Sequence, residues 1–397
     1  MLLVYIAVLP FKGLLIVERN GFLVLLGLLA LWCLVNRRLF YRRTPFDVPV
    51  AAYVCWVGFT IPFSVFPEYS LKEFGKLLQQ FVVFYAVVYF LSGRSFRLTL
   101  FGLLGVLLVV TSAKGLTQFD IDHPQAVVSF FPAEVWLTTF LVMVIPLAIA
   151  TGFVANSQWL RGAGFLTMLI ASTCLVWTQS RAGLLSLIAE FWAMTWIIRT
   201  RAAVLLAGVV SLGLVVGFLV TLGVRTGAVP LENGGNHIRA PFQTTVHSII
   251  HRFDIWTFTL GEIRKHWLTG IGYGKDNFLN VYGPEEETAV ASGHAPVKKA
   301  GTHNIFLYLA LHIGIPGLLI FGWLYASVMV KTVGESRMAD HWLEKIILCG
   351  IGGGMVGLAV RLQFDQMFVG TLAIFFWVLV ALAVLSYPSR RDAGDPT

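Results

Sequence analysis

Three kinds of residue in this chain are of types that could do chemistry: two arginines, one in a very short connection and one on a polar loop helix, a histidine at the edge of an apolar run, and a histidine pair at helical spacing. Arg181 stands in Thr178-Gln179-Ser180-Arg181-Ala182-Gly183, a very short connection between two apolar spans. A guanidinium at membrane depth costs about 2.5–3.5 kcal/mol on insertion scales, so such a residue usually faces a cavity with a partner, or snorkels to headgroups. Arg252 lies in His251-Arg252-Phe253-Asp254-Ile255-Trp256. Its planar fork grips phosphate and stays charged at any relevant pH, although a solvated face or an ion pair with Asp254 or Glu262 would also account for it. His303 precedes a span whose Ile305, Leu309 and Ile313 begin an apolar face. A half-buried imidazole there can titrate near neutrality, as a general base requires. An interfacial or capping histidine would look the same, and the neighbouring Asn304 is the more natural cap.

Other candidates carry less. His247 and His251 have the i, i+4 spacing of zinc ligands, but His247-Ser248-Ile249-Ile250-His251 lacks the glutamate of HExxH, so no metal site is expected. Gly272-Tyr273-Gly274 is too short for a dinucleotide fingerprint and reads as a turn that lets backbone pass close to something else. Arg361 and Asp365 flank Leu362-Gln363-Phe364, and a structural pair is the default for them, with the Arg181 region the other partner in view.

The elements that must hold these groups are membrane spans. The chain is 57% hydrophobic and only 13% charged, with mean hydropathy +0.77, whereas soluble domains carry about 25% charged residues. The apolar runs are continuous and about 20 residues long, as a hydrocarbon core of about 30 Å requires. A β-barrel would instead alternate over segments of about ten residues. The expectation is an all-α polytopic membrane protein of about twelve spans, roughly 1–18, 21–36, 46–64, 76–93, 98–113, 133–154, 161–179, 182–198, 202–223, 304–331, 343–361 and 366–387. The first is the weakest, because Pro10 and Lys12 interrupt it, and the start lacks the basic region and cleavage site of a typical signal peptide. Residues 1–397 form one integral membrane domain, with a polar loop at 224–304 between spans nine and ten.

That loop holds six of the nine histidines: His237, His247, His251, His266, His294 and His303. Glu232 to Asn236 reads as turn or coil. Thr244 to His266 reads as helix, since Val246, Ile249, Ile250, Phe253, Trp256 and Ile263 recur at helical spacings. Gly270, Gly272 and Gly274 end it, and Glu285 to Lys299 reads as exposed. A second outer loop, Ala113 to Pro132, carries Asp120, Asp122 and His123.

Lys and Arg set the orientation. With the N-terminus inside, inner loops and the tail hold fourteen, among them Arg37, Arg38, Arg42, Arg43, Arg94, Arg97, Arg337, Arg390 and Arg391. The short outer loops hold six: Arg19, Lys72, Lys76, Lys114, Arg181 and Arg361. Both termini are therefore expected inside and the long loop outside. The net charge of +8 is mostly this bias and does not point to nucleic acid, because no single domain carries it. Cys33, Cys55, Cys174 and Cys349 all fall in apolar spans, so no disulfide framework is expected.

Together these pieces resemble the O-antigen ligase family, within the superfamily that includes O-antigen polymerases and protein O-oligosaccharyltransferases. The resemblance rests on Ser180-Arg181-Ala182-Gly183, on Arg252 with Trp256, on Trp267-Leu268-Thr269-Gly270-Ile271-Gly272-Tyr273-Gly274, and on His303-Asn304 followed by Leu307 and Gly314-Ile315-Pro316-Gly317. It covers about Thr178 to Leu319; elsewhere only hydropathy and span count match. The resemblance implies a bacterial inner-membrane glycosyltransferase that moves a glycan from undecaprenyl diphosphate to a lipid A-core sugar at the periplasmic face. It implies phosphate-binding roles for Arg181 and Arg252 and an essential His303, with Asn304, Asp254, Arg361 and Asp365 as possible support. No cofactor, metal or nucleic-acid partner is implied. A polymerase acting on the same donor is the runner-up; the single dominant outer loop, and Lys114 as the only basic residue of Ala113 to Pro132, favour the ligase. A transporter of lipid-linked sugars would need polar groups within the spans, and most spans lack them.

Overall fold

A computed structural model describes residues 1–120, 125–225, 239–283, 301–366 and 370–388. The expectations placed on Asp122, His123, Glu232 to Asn236 and Glu285 to Lys299 lie outside the described residues, as do the side chains of His247 and His251. Every regular element among the described residues is helical, as backbone deprived of water requires. The helices are α1 (Leu2–Val8), α2 (Leu15–Asn36), α3 (Asp47–Thr60), α4 (Pro67–Phe90), α5 (Arg94–Leu116), α6 (Glu134–Val154), α7 (Gln158–Trp177), α8 (Arg181–Ile198), α9 (Arg201–Arg225), α10 (Arg239–Lys265), α11 (Ile305–Met338), α12 (Trp342–Arg361) and α13 (Gly370–Leu385). Seven are long and apolar enough to cross a membrane, and three shorter ones are also apolar.

The first expected span is corrected. Pro10 has no N–H to donate and Lys12 is charged, and there the chain breaks. α1 stops at Val8, a 3-10 turn follows at Lys12–Leu14, and α2 starts at Leu15. The seven residues of α1 rise about 10 Å, far short of the ~30 Å core. Each later expected span has a helix in its place, and the expected loop helix is α10.

α6 and α12 form the centre. In α6, 83% of the membrane-length window is buried, against 11% in α2, so α6 is wrapped by protein while α2 faces outward. α12 packs against α6 and α8 through small residues: Gly350 lies on Leu147, Gly353 on Met194 and Gly357 on Glu190, so that backbones approach closely.

The helix ends gather at two poles. At one, Arg97 pairs with Glu344 at 3.2 Å and donates to the Leu385 carbonyl at 2.8 Å, while Arg94 meets His341. These belong to the loops expected on the inner side. At the other, Lys12 N–H donates to the Phe130 carbonyl, Val127 N–H to Trp177, and Ile305 N–H to Leu362. The candidate residues belong to this second pole.

Candidate functional site

The start of α11 is the best-defined part of the site. Asn304 caps it, its Oδ1 accepting from the N–H groups of Phe306 (2.9 Å) and Leu307 (3.2 Å), while its Nδ2 donates to the Gln363 carbonyl at 3.0 Å. Thr302 donates through Oγ1 (2.8 Å) and N–H (3.2 Å) to Gln366 Oε1. These bonds clamp residues 302–305 onto the turn after α12. His303 sits within the clamp, half-buried, at φ +47°. A non-glycine residue there costs of order 1–3 kcal/mol and persists only where neighbours over-determine it; the bonds of Thr302 and Asn304 on either side do so.

α10 is tied to the same place. Trp256 Nε1 donates to the Thr302 carbonyl at 3.0 Å. Arg252 lies one turn earlier, so it shares the face of Trp256, and it is half-buried. Among the described residues it has no ion pair: Glu262 is taken by Lys265 and Tyr282. Asp254, two residues on, is exposed and on another face.

The end of α12 brings a further arginine. Arg361, only 3% exposed, donates through Nη2 to Asp365 Oδ2 at 3.0 Å, so the expected structural pair is present. Asp365 Oδ1 also accepts from the Gln366 N–H at 2.7 Å, and the Nε of Arg361 has no hydrogen-bond partner among the described residues. Arg252 and Glu134 both lie within Coulombic reach of Arg361.

Arg181 opens α8. Ser180 caps the helix by accepting from the Gly183 N–H at 3.2 Å, after Gln179 turns the chain at φ +56°. A Cβ on Gly183 would lie 2.5 Å from the Thr138 methyl, so α8 starts hard against α6, one turn below Glu134. Arg181 is exposed and stands where the helix dipole and free N–H groups already favour anions. α8 runs antiparallel to α12, with Gly357 packed on Glu190. From that contact Arg181 is about 13 Å along α8 and Arg361 about 6 Å along α12, at the same pole.

The glycine turn braces this pole. α11 is broken at Ile313 and Gly314, which frees backbone groups that must find partners inside the bundle. Residues 267–272 supply them: Ile271 N–H donates to the Leu311 carbonyl, Gly272 N–H to His312, and the Trp267 carbonyl accepts from Ile315 N–H at 2.8 Å. Trp56 Nε1 takes the Ile313 carbonyl at 2.8 Å. A Cβ on Gly270 would lie 2.3 Å from the backbone of His312, so the close backbone passage expected of this turn is what the glycines permit.

Sequence reasoning missed Glu134 beside Arg361, Thr302 and Gln366 in the clamp, and Glu190. Glu190 is fully buried within α8, and neither carboxyl oxygen has a hydrogen-bond partner among the described residues. A lone carboxylate within an apolar span was a readable signal. Among the described residues no group of three His, Cys, Asp or Glu side chains converges.

Residues 166–322 match the model of a family described as O-antigen ligase. The match takes in Arg181, Arg252, the glycine turn, His303 and the break in α11; Arg361 lies beyond it. No curated protein is significantly similar to the chain.

Proposed function

We propose, from the premise that the chain belongs to the O-antigen ligase superfamily, that it transfers an O-antigen glycan from undecaprenyl diphosphate to a lipid A-core hydroxyl at the periplasmic face of the inner membrane. The family's activity is of the ligase or polymerase type; donor, acceptor and residue roles are our reading. The observation that carries it is the bond from Trp256 Nε1 to the Thr302 carbonyl. It links the helix bearing Arg252 to the residue before His303, at the pole where α8 begins with Arg181.

The chemistry follows from the residue types. A glycosyl diphosphate has a good leaving group that needs no protonation. Arg181 and Arg252 neutralise the diphosphate as the bond from its oxygen to the anomeric carbon breaks, since bidentate guanidinium contacts strengthen as charge collects there. His303 takes the proton of the acceptor hydroxyl as that oxygen forms the new glycosidic bond. Attack opposite the departing diphosphate inverts the anomeric configuration. General-base assistance is worth about 10²–10⁴-fold. Arg361, half-neutralised by Asp365, adds positive potential behind Arg252 rather than gripping phosphate itself.

The test is transfer in vitro: purified protein, undecaprenyl-diphosphate glycan and lipid A-core, with EDTA present. Glycan on the lipid A-core supports the ligase and its independence of metal. Polymer left on the lipid donor selects the polymerase, and counterflow of labelled donor without transfer selects a transporter.

A further inference from the structure

We propose that the cavity between α2, α4 and the outer starts of α6 and α13 docks the anionic phosphate headgroup of a membrane lipid, at the same pole as Arg181, Arg252 and His303 but at a separate site. The cavity holds about 740 Å³, within the usual ligand-pocket range of about 300–1,000 Å³. Four cations line it: Lys12 on the turn before α2, Arg19 on α2, and Lys72 and Lys76 on α4. Lys76 is paired with Glu73. Lys12, Arg19 and Lys72 have no ion pair among the described residues. The only carboxylate in the lining is Glu18; it accepts from the Tyr5 hydroxyl at 3.4 Å, and Gln79 donates to that hydroxyl at 3.0 Å, so Glu18 is tied to tyrosine rather than to a cation. The cavity therefore keeps an uncompensated positive charge.

Position makes that charge informative. Lys72 and Lys76 stand in the first three turns of α4, about 7 Å and about 13 Å along it from Pro67, with Lys12 and Arg19 beside them. Basic pockets between membrane helices bind anionic lipid headgroups. The rest of the wall is apolar, with Phe22 and Leu23 from α2, Trp136 from α6 and Ile374 from α13. A free anion would leave those side chains unmatched; a phosphate bearing an acyl or prenyl chain satisfies both halves. The cavity adjoins the candidate site at that pole, because Trp136 is two residues from Glu134, which lies within reach of Arg361.

The test titrates the purified full-length chain, in non-ionic detergent, with dioctanoyl phosphatidic acid, dioctanoyl phosphatidylcholine and inorganic phosphate. Phosphatidic acid should bind saturably and at least tenfold more tightly than either of the others. Lys12→Gln with Lys72→Gln should weaken it at least tenfold, while Arg252→Lys should leave it unchanged. Parental binding in the double variant overturns the site. Equal binding of inorganic phosphate overturns the lipid, equal binding of phosphatidylcholine overturns the charge requirement, and loss in Arg252→Lys overturns the separation. Should the double variant fail to fold, a diazirine-bearing phosphatidic acid on the unaltered protein decides: crosslinks should map near Phe22 and Trp136, and crosslinks confined elsewhere sink the proposal. None of these outcomes depends on glycan transfer.

Discussion

At the scale of single residues, the roles divide by chemistry. Removing the imidazole in His303→Ala should lower transfer by about 10²–10⁴-fold, measured with saturating donor; near-normal turnover would remove the general base. Arg181→Lys and Arg252→Lys should each lose most activity, because a point charge does not replace the bidentate fork. If both lysine variants transfer normally, the diphosphate clamp is wrong. Asn304 has a different task. It caps α11 and holds Gln363, so Asn304→Ala should cost about 1 kcal/mol of stability, read as a lower melting temperature, while Asn304→Asp keeps the cap. The types of Arg181, His303 and Asn304 were legible because each breaks a local pattern: a charge in an apolar run, or a polar residue just before a helix. Glu190 broke the same pattern and should have been read with them.

At the scale of elements, α10 and the glycine turn hold the pole together. Trp256→Phe keeps the ring but deletes the donor to the Thr302 carbonyl. Transfer should fall while the melting temperature of the bundle changes little, since α10 adds few contacts to the core; unchanged transfer would show that α10 is positioned by other means. Gly314 is under a different constraint. It lies at φ +75°, and a Cβ there would sit 2.0 Å from the Leu268 carbonyl oxygen. Gly314→Ala should therefore cost at least about 3 kcal/mol from backbone strain and overlap, visible as poor recovery of folded protein from membranes. Gly314-Ile315-Pro316-Gly317 is a recognisable string in the sequence, but nothing in it says that the carbonyls it frees will be met by residues 267–272.

At the scale of the whole molecule, the two poles make the expected sidedness testable. With the Arg97 and Glu344 end cytoplasmic, a cysteine at Gln363 in a background lacking Cys33, Cys55, Cys174 and Cys349 should react with a membrane-impermeant maleimide added outside spheroplasts. A cysteine at Ser95 should react only after lysis. Reversed labelling would invert the topology and with it the periplasmic reading.

The sequence by itself determined the class, the places of the later spans and the charge bias between loops. Hydropathy, positive charge and helix signals are local quantities, so they can be summed along a chain without knowing how it packs. It did not reveal that 1–18 would break at Pro10 and Lys12 into a short helix and a turn, because propensity gives the weakness of a span but not the bond from Lys12 to Phe130 that turns the chain. Only the tertiary structure decided that Trp256 would find a carbonyl 46 residues away, that Thr302 would find Gln366 across 64, that Arg361 would come within Coulombic reach of Arg252, and that Lys12, Arg19, Lys72 and Lys76 would share one cavity. Each of these depends on which helices pack together and in what register, and that is fixed by side-chain shape and buried polar pairing across the bundle rather than by spacing along the chain.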